Sequence, residues 1–208
     1  MIKTILFDVD GTLIDTEQAI LRSLKELLKE ELHLIVPEAE LTFVLGIPGE
    51  KALERYSDSP AERARLLTIW VEKLAAHSTD VRLFDGIVPL LTKLKNTGYQ
   101  LGVVTSKLRN ELIKEFASFE LTDFFEVAVT ASDTKKHKPN PEPILKALEE
   151  LHARPEETIY IGDSVYDLRC AQNSQVAFAL AGWGAQPAEE FSTLERILSQ
   201  PNDLLAVL

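Results

Sequence analysis

Short apolar segments alternate with amphipathic helical segments through the second half of the chain. After Asp85, a helical pattern over 87–96 precedes an apolar run over 99–105, and this order repeats until a run over 175–180. Strands that alternate with helices in this way form a parallel sheet with helices on both faces. The sequence therefore predicts an α/β fold built on a doubly wound parallel sheet, with 175–180 as its last strand.

One further strand is predicted over 2–7, and a long helical stretch separates it from the others. Apolar residues at helical spacing begin near Glu17, with charged residues on the opposite side of the predicted helix. No segment of this stretch has the pattern of a strand. We therefore predict two domains: an all-helical cap over 16–80, inserted into a core that comprises 1–15 and 81–208.

Polar residues occur in four groups at or after the ends of predicted strands. In an open parallel sheet, ligands bind in the crevice at the carboxyl ends of the strands. The separations along the chain suit different strands of one sheet, so we expect the four groups to converge on a single site. They are Asp8 with Asp10, Thr105 with Ser106, Lys138, and Asp163 with Asp167.

The chemical types in these groups predict a magnesium-assisted phosphoryl site. Carboxylates of Asp8, Asp10 and Asp163 would repel one another by roughly 4 kcal/mol per pair at about 4 Å, with an effective dielectric of about 20. A Mg²⁺ ion held by carboxylates and water removes that repulsion. Lys138 adds a compact positive charge, and the Thr and Ser of the second group offer hydroxyl and N–H donors to phosphate oxygens. Attack by a carboxylate would give an acyl-phosphate.

These groups lie within four motifs that resemble those of the haloacid dehalogenase (HAD) superfamily. Their order and separations resemble those of its phosphatases with a small helical cap, above all phosphoglycolate phosphatases and related bacterial pyrophosphatases. The motifs are FDVDGTLIDTE at 7–17, GVVTSK at 102–107, HKPNPEP at 137–143 and IGDSVYDL at 161–168.

The resemblance implies a role for each carboxylate. Asp8 would be the nucleophile that becomes the aspartyl-phosphate. Asp10 would protonate the leaving oxygen and then activate the hydrolytic water. Asp163 would hold Mg²⁺ together with the Asp8 carboxylate and the Asp10 carbonyl, and Asp167 would lie behind these ligands and support them.

The resemblance also implies which residues bind the phosphoryl group. Thr105 and the backbone of Ser106 would bind its oxygens, and Lys138 would neutralise charge on both the nucleophile and the phosphate. Lys107 and Arg109 follow the second motif, and two interpretations stay open for them: they meet an anionic end of the substrate, or they are simply solvated.

The function implied by the resemblance is Mg²⁺-dependent hydrolysis of a small phosphomonoester similar to phosphoglycolate. Two alternatives stay open, an inorganic pyrophosphatase and a phosphosugar mutase of the β-phosphoglucomutase type. The segment 45–53 resembles the substrate-specificity loop of the family, but it lacks the nearby arginine of the mutases, and the helix after Asp15 lacks their histidine. Whether Lys51 or Trp183 contacts the substrate also stays open.

Composition restricts the partners of the protein. There are 22 Lys and Arg residues against 33 Asp and Glu residues, a formal net charge of −11, which disfavours sequence-independent binding to nucleic acid. The longest apolar runs are far shorter than a membrane span, and the single Cys170 cannot form an internal disulfide. We expect a cytoplasmic monomer or homodimer that binds a small phosphorylated metabolite, and neither nucleic acid nor a membrane.

Overall fold

A parallel β-sheet lies at the centre of the computed structural model, which describes all 208 residues. The strands, in chain order, are β1 (Thr4–Phe7), β2 (Ile14–Asp15), β3 (Arg82–Leu83), β4 (Gln100–Val104), β5 (Val127–Val129), β6 (Thr158–Gly162), β7 (Ala177–Ala181) and β8 (Ile197–Leu198). Six of them form the sheet in the order β5-β4-β1-β6-β7-β8, and every neighbouring pair in it is parallel. The predicted α/β class is confirmed.

Seven α-helices connect or flank these strands. They are α1 (Glu17–Glu31), α2 (Gly49–Leu53), α3 (Pro60–Ala76), α4 (Ile87–Asn96), α5 (Arg109–Ser118), α6 (Glu142–Glu150) and α7 (Val165–Asn173). Local chemistry explains several of the boundaries: Ser59 caps α3 by accepting a hydrogen bond from the Glu62 N–H, and Pro60 occupies its first turn. None of the helices has the length and apolarity that crossing a membrane requires.

Helices cover both faces of the sheet, as the apolar strands require. Ile5 and Phe7 of β1 belong to one buried cluster together with α4 and α5, whereas Leu6 between them belongs to a second cluster with α6 and α7. This alternation follows from the two-residue period of a strand. The central strand is therefore buried on both sides, which fixes the position of the residues that follow it.

The helices α1, α2 and α3 form a separate layer with its own buried cluster, which includes Leu24, Leu27, Leu66 and Trp70. The Trp70 indole N–H donates to the Ser23 hydroxyl at 2.9 Å, which satisfies the one polar group of that ring. The chain enters and leaves this layer through β2 and β3, which pair with each other in antiparallel fashion. The exact boundaries of the predicted cap, 16 and 80, stay a prediction.

The prediction that 175–180 is the last strand is wrong, because β8 adds a further parallel strand beside β7. Two backbone hydrogen bonds of 2.9 Å support it, from the Leu180 N–H to the Arg196 carbonyl and from the Gly182 N–H to the Leu198 carbonyl. A strand of two residues is too short to show the alternating pattern on which strand prediction depends.

Candidate active site

Residues that follow three adjacent strands meet at one edge of the sheet. Phe7 of β1 pairs with Val103 of β4 on one side and with Ile161 of β6 on the other, so the chain leaves all three strands at nearly the same level. The carboxylates of Asp8, Asp163 and Asp167 consequently come within 4.8 Å of one another. The chain order of the sheet reverses around β1, and ligands bind at such switch points.

Lys138 supplies a positive charge beside these carboxylates. Its ammonium lies 3.0 Å from Asp8 Oδ2 and 2.6 Å from Asp167 Oδ1, and its side chain is only 2% exposed. Burial disfavours the charged form, but the carboxylates of Asp167 and Asp8 outweigh it and raise the pKa of Lys138. The lysine is therefore a fixed cation beside the carboxylate that the sequence predicts as the nucleophile.

Asp167 is fully buried and has donors at both of its oxygens. Besides Lys138, the Tyr160 hydroxyl lies 2.8 Å from Oδ1, and the Ser164 N–H and hydroxyl donate to Oδ2 at 3.1 and 2.5 Å. Ser164 is also the N-cap of α7, so the start of this helix fixes the carboxylate. Hydrogen bonding within the protein thus occupies Asp167, which agrees with a supporting position rather than a metal ligand.

Asp8 and Asp163 differ from Asp167 in that each keeps an oxygen available. Asp8 Oδ1 is buried without any hydrogen-bond partner, and Asp163 accepts one bond, from the Thr12 hydroxyl to Oδ1 at 3.1 Å. Burial raises the pKa of Asp8 to about 7, the charge of Asp167 adds to this effect, and Lys138 partly offsets it. Burial and then the charge of Asp167 raise the pKa of Asp163 well above its usual range. Buried, mutually repelling oxygen donors of this kind fit Mg²⁺.

Asp10 lies beside this cluster and is paired with Lys107. The Lys107 ammonium lies 2.7 Å from Asp10 Oδ1 and 3.0 Å from Glu115 Oε1, and its side chain is only 7% exposed. Burial disfavours its charge, but Asp10 and Glu115 outweigh burial and raise the pKa of Lys107. The interpretation of Lys107 as a solvated residue is therefore wrong.

Thr105 and Ser106 lie where β4 ends, on the floor of a cavity of about 230 Å³ between the helical layer and the sheet. The Thr105 hydroxyl accepts a hydrogen bond from the Lys107 N–H at 3.2 Å, whereas the Ser106 hydroxyl is buried without a partner. The floor also includes Asp8 and Asp10. The structure thus brings the predicted phosphate-binding hydroxyls and the first two carboxylates to one cavity.

Three residues whose contact with a substrate was open lie outside this cavity. Arg109 pairs with Asp133, and Lys51 pairs with Glu54 at 3.0 Å. Trp183 donates its indole N–H to the Thr12 carbonyl at 2.9 Å and lines a smaller neighbouring cavity of about 150 Å³. The tryptophan therefore supports the turn after β1.

The helical layer closes the cavity from above. Leu67, Trp70, Val71 and Leu74, one face of α3 at helical spacing, form much of its wall. Gly46 rests on Ser164 of the core so closely that a Cβ atom there would lie 2.4 Å from the Ser164 Cβ. The loop 45–53 is thus in contact with the same helix start that holds Asp167.

The sequence did not identify several residues of this site. For Tyr160, the sequence predicts only a buried residue of β6, because the pattern of a strand does not indicate which group a buried hydroxyl contacts. Glu50 and Glu111 also line the cavity, as does His137, whose place beside Lys138 in the third motif already indicated that it could touch the site. Glu50 lies within the segment that resembles the specificity loop, the one signal that could have found it.

Comparisons with known proteins agree with this geometry. The sequence model of the haloacid dehalogenase-like hydrolases matches residues 5–181. The pyrophosphatase PpaX of Bacillus mycoides is 32% identical in an alignment that covers 100% of this chain and 97% of that protein. A crystal structure from Lactobacillus plantarum, provisionally named a phosphoglycolate phosphatase, covers both chains completely at 30% identity with a TM-score of 0.92. The phosphate complex of CbbY from Rhodobacter sphaeroides has 25% identity and a TM-score of 0.82, covering 98% of this chain and 96% of the other.

Proposed function

The chain belongs to the haloacid dehalogenase-like hydrolases and is a phosphatase of that family, and we propose that it hydrolyses a small phosphomonoester with Mg²⁺ through an aspartyl-phosphate on Asp8. One observation carries this proposal. Oδ2 of Asp8 lies 3.0 Å from the Lys138 ammonium, and its Oδ1 is buried without a hydrogen-bond partner. A carboxylate held in this way, at the end of the central strand, can attack a phosphorus atom placed over the cavity floor.

Asp8 and Asp163 would hold Mg²⁺ through their available oxygens, with the Asp10 carbonyl as a third donor. When bound, the ion would neutralise charge on the phosphoryl group and favour the ionised form of Asp8. Lys138 keeps its charge beside Asp8 and faces the oxygens of the phosphoryl group. The Ser106 hydroxyl, which has no partner within the protein, is available as a donor to one of those oxygens.

Asp10 would serve as the acid and then the base. When Asp8 attacks, the bond from phosphorus to the leaving oxygen breaks, and that oxygen receives its proton from Asp10. Asp10 then takes a proton from the water that attacks the aspartyl-phosphate, which releases inorganic phosphate and restores Asp8. Lys107, 2.7 Å from Asp10 Oδ1, holds the carboxylate at the cavity floor. We further propose a cytoplasmic location, which the single, buried Cys170 supports.

Inorganic pyrophosphate is the second candidate substrate, because relatives at about one-third identity carry the name pyrophosphatase PpaX. The geometry of the phosphoryl site serves either substrate. The two substrates differ in the leaving group, which must occupy the part of the cavity beyond the transferred phosphoryl group.

Phosphate release from p-nitrophenyl phosphate tests the proposal. We expect the activity to require Mg²⁺ and to fall by at least about a thousandfold in Asp8→Asn, since the amide is not a nucleophile. Asp85→Asn, the same change at an exposed position, is the matched control and should retain wild-type activity. Retention of the wild-type rate in Asp8→Asn would remove the basis of the proposal. Conversion of β-glucose 1-phosphate to glucose 6-phosphate in the presence of a bisphosphate primer would instead indicate a mutase.

A further inference from the structure

The cavity above the phosphoryl site has a charged floor and a mainly apolar wall. The helical layer contributes Leu67, Trp70, Val71 and Leu74 from one face of α3, and Ile20 and Ile47 from its other segments. None of the residues that this layer contributes to the cavity is basic, and the one that is charged, Glu50, is acidic. A leaving group bound here meets hydrocarbon on the side away from phosphorus.

The one buried basic group that lines the cavity is not available for a second anion. Lys107 already lies within 3.0 Å of both Asp10 and Glu115. His137, the other basic residue of the lining, is exposed to solvent, and Glu111 adds a further acidic side chain. A carboxylate or second phosphate on the substrate would lose water on entering and find no free buried cation to pair with, which is unfavourable.

Resting on the phosphatase function proposed above, we propose that the substrate is a phosphomonoester whose leaving group is uncharged and mainly apolar, a small alkyl or aryl alcohol. Pockets for drug-sized ligands measure about 300–1,000 Å³, so a cavity of about 230 Å³ suits a smaller molecule. The reaction consumes water, breaks the bond from phosphorus to the leaving oxygen, and yields the neutral alcohol and inorganic phosphate. Phosphoglycolate and pyrophosphate carry a second anionic group and are therefore disfavoured.

Isobutyl phosphate and phosphoglycolate make a matched pair of substrates, since a branched pair of methyl groups replaces the carboxylate. Both leaving groups are primary alcohols, so intrinsic reactivity differs less than it would for an aryl ester. With saturating Mg²⁺, we expect kcat/KM to be at least about tenfold higher for isobutyl phosphate than for phosphoglycolate or pyrophosphate. An equal or higher value for either anionic substrate would overturn the inference.

A charge placed on the wall should weaken the preference. In Val71→Lys, we expect the ratio of kcat/KM for isobutyl phosphate to that for phosphoglycolate to fall by about tenfold. Thr68→Lys places the same charge at an exposed position of α3 outside the cavity lining and should leave the ratio unchanged. An equal effect of both substitutions would contradict a local role of the wall.

Hydrolysis of p-nitrophenyl phosphate separates the two proposals. If wild type hydrolyses this ester in an Asp8-dependent manner but prefers phosphoglycolate or pyrophosphate over isobutyl phosphate, the inference about the leaving group fails and the phosphatase mechanism stands. If neither this ester nor any of the three other substrates is hydrolysed, both fail. The comparison of wild-type substrates needs no variant, so it holds even if Val71→Lys does not fold.

Discussion

The Lys138 ammonium lies 2.6 Å from Asp167 and 3.0 Å from Asp8, so its shorter ion pair is with the carboxylate that does not react. Asp167 is fully buried and is held by Tyr160 and Ser164. If Asp8 becomes an acyl-phosphate and loses its own charge, Lys138 keeps a partner and remains in place. The pair therefore anchors the cation throughout the proposed reaction.

Loss of this anchor should reduce stability as well as activity. In Asp167→Asn, we expect the free energy of unfolding to fall by about 3 kcal/mol, because one partner of a buried ion pair is removed. We expect kcat to fall by at least about tenfold, since Lys138 loses the shorter of its two ion pairs. Urea unfolding and steady-state kinetics measure the two effects. An unchanged urea midpoint would contradict the anchoring role.

In the absence of metal, Asp163→Asn should increase the stability of the protein, whereas Asp167→Asn should reduce it. Burial and the charge of Asp167 raise the pKa of Asp163, so its ionised form opposes folding at pH values above the usual carboxyl pKa. We expect the metal-free variant at neutral pH to melt at a higher temperature than wild type. Addition of Mg²⁺ should stabilise wild type and have much less effect on the variant. A variant that Mg²⁺ stabilises as strongly as wild type would argue against Asp163 as a ligand.

Contact between the helical layer and the core should depend on Gly46. Its φ is +78°, and a side chain there would meet Ser164, so Gly46→Ala combines backbone strain with a steric clash. Gly98 has a φ of +90° but no atom within 4 Å of an added Cβ, so Gly98→Ala reports the strain alone. We expect Gly98→Ala to lose about 1 kcal/mol of stability, and Gly46→Ala to lose more because of the added clash. Only Gly46→Ala should lower kcat/KM, and equal kinetics in the two variants would contradict a functional contact.

The Asp133 carboxylate should contribute a defined part of the acid sensitivity. It accepts hydrogen bonds from Arg109 and Thr130, which outweigh its partial burial and lower its pKa from 3.8 to about 2. A carboxyl whose pKa is lowered by folding stabilises the protein above its unfolded pKa and loses that contribution as the pH falls toward the folded value. Between pH 5 and pH 3, the urea midpoint of Asp133→Asn should therefore fall less than that of wild type. Parallel losses in the two proteins would contradict this assignment.

The sequence predicted the architecture well where the segments were long and regular. The helix over 87–96 and the strands that end just before Asp8, Thr105 and Asp163 have the patterns that burial in a helix-covered parallel sheet requires. The two-residue strand β8 could not be predicted, because its evidence is a pairing with β7 across intervening chain.

For the site, too, only part could be predicted from the sequence. Asp8 and Asp163 come together because each directly follows the end of one of two neighbouring strands, and this can be predicted from the sequence, whereas Lys138 reaches them from the segment between β5 and α6. The partners of these residues depend on side-chain geometry, as in the 2.8 Å contact between Tyr160 and Asp167. The acidic Glu50 in the cavity wall depends on how the helical layer sits on the core, which no local pattern records.

Detection of a phosphoryl group on Asp8 tests the central claim most directly. Asp10→Asn should accumulate the aspartyl-phosphate, because p-nitrophenolate leaves with little help from an acid whereas hydrolysis of the intermediate needs the base. Acid quenching of this variant with Mg²⁺ and p-nitrophenyl phosphate, followed by peptide mass mapping, should locate the phosphoryl group on Asp8. A phosphoryl group on another residue, or turnover by the variant with the peptide 7–17 never modified, would contradict the account.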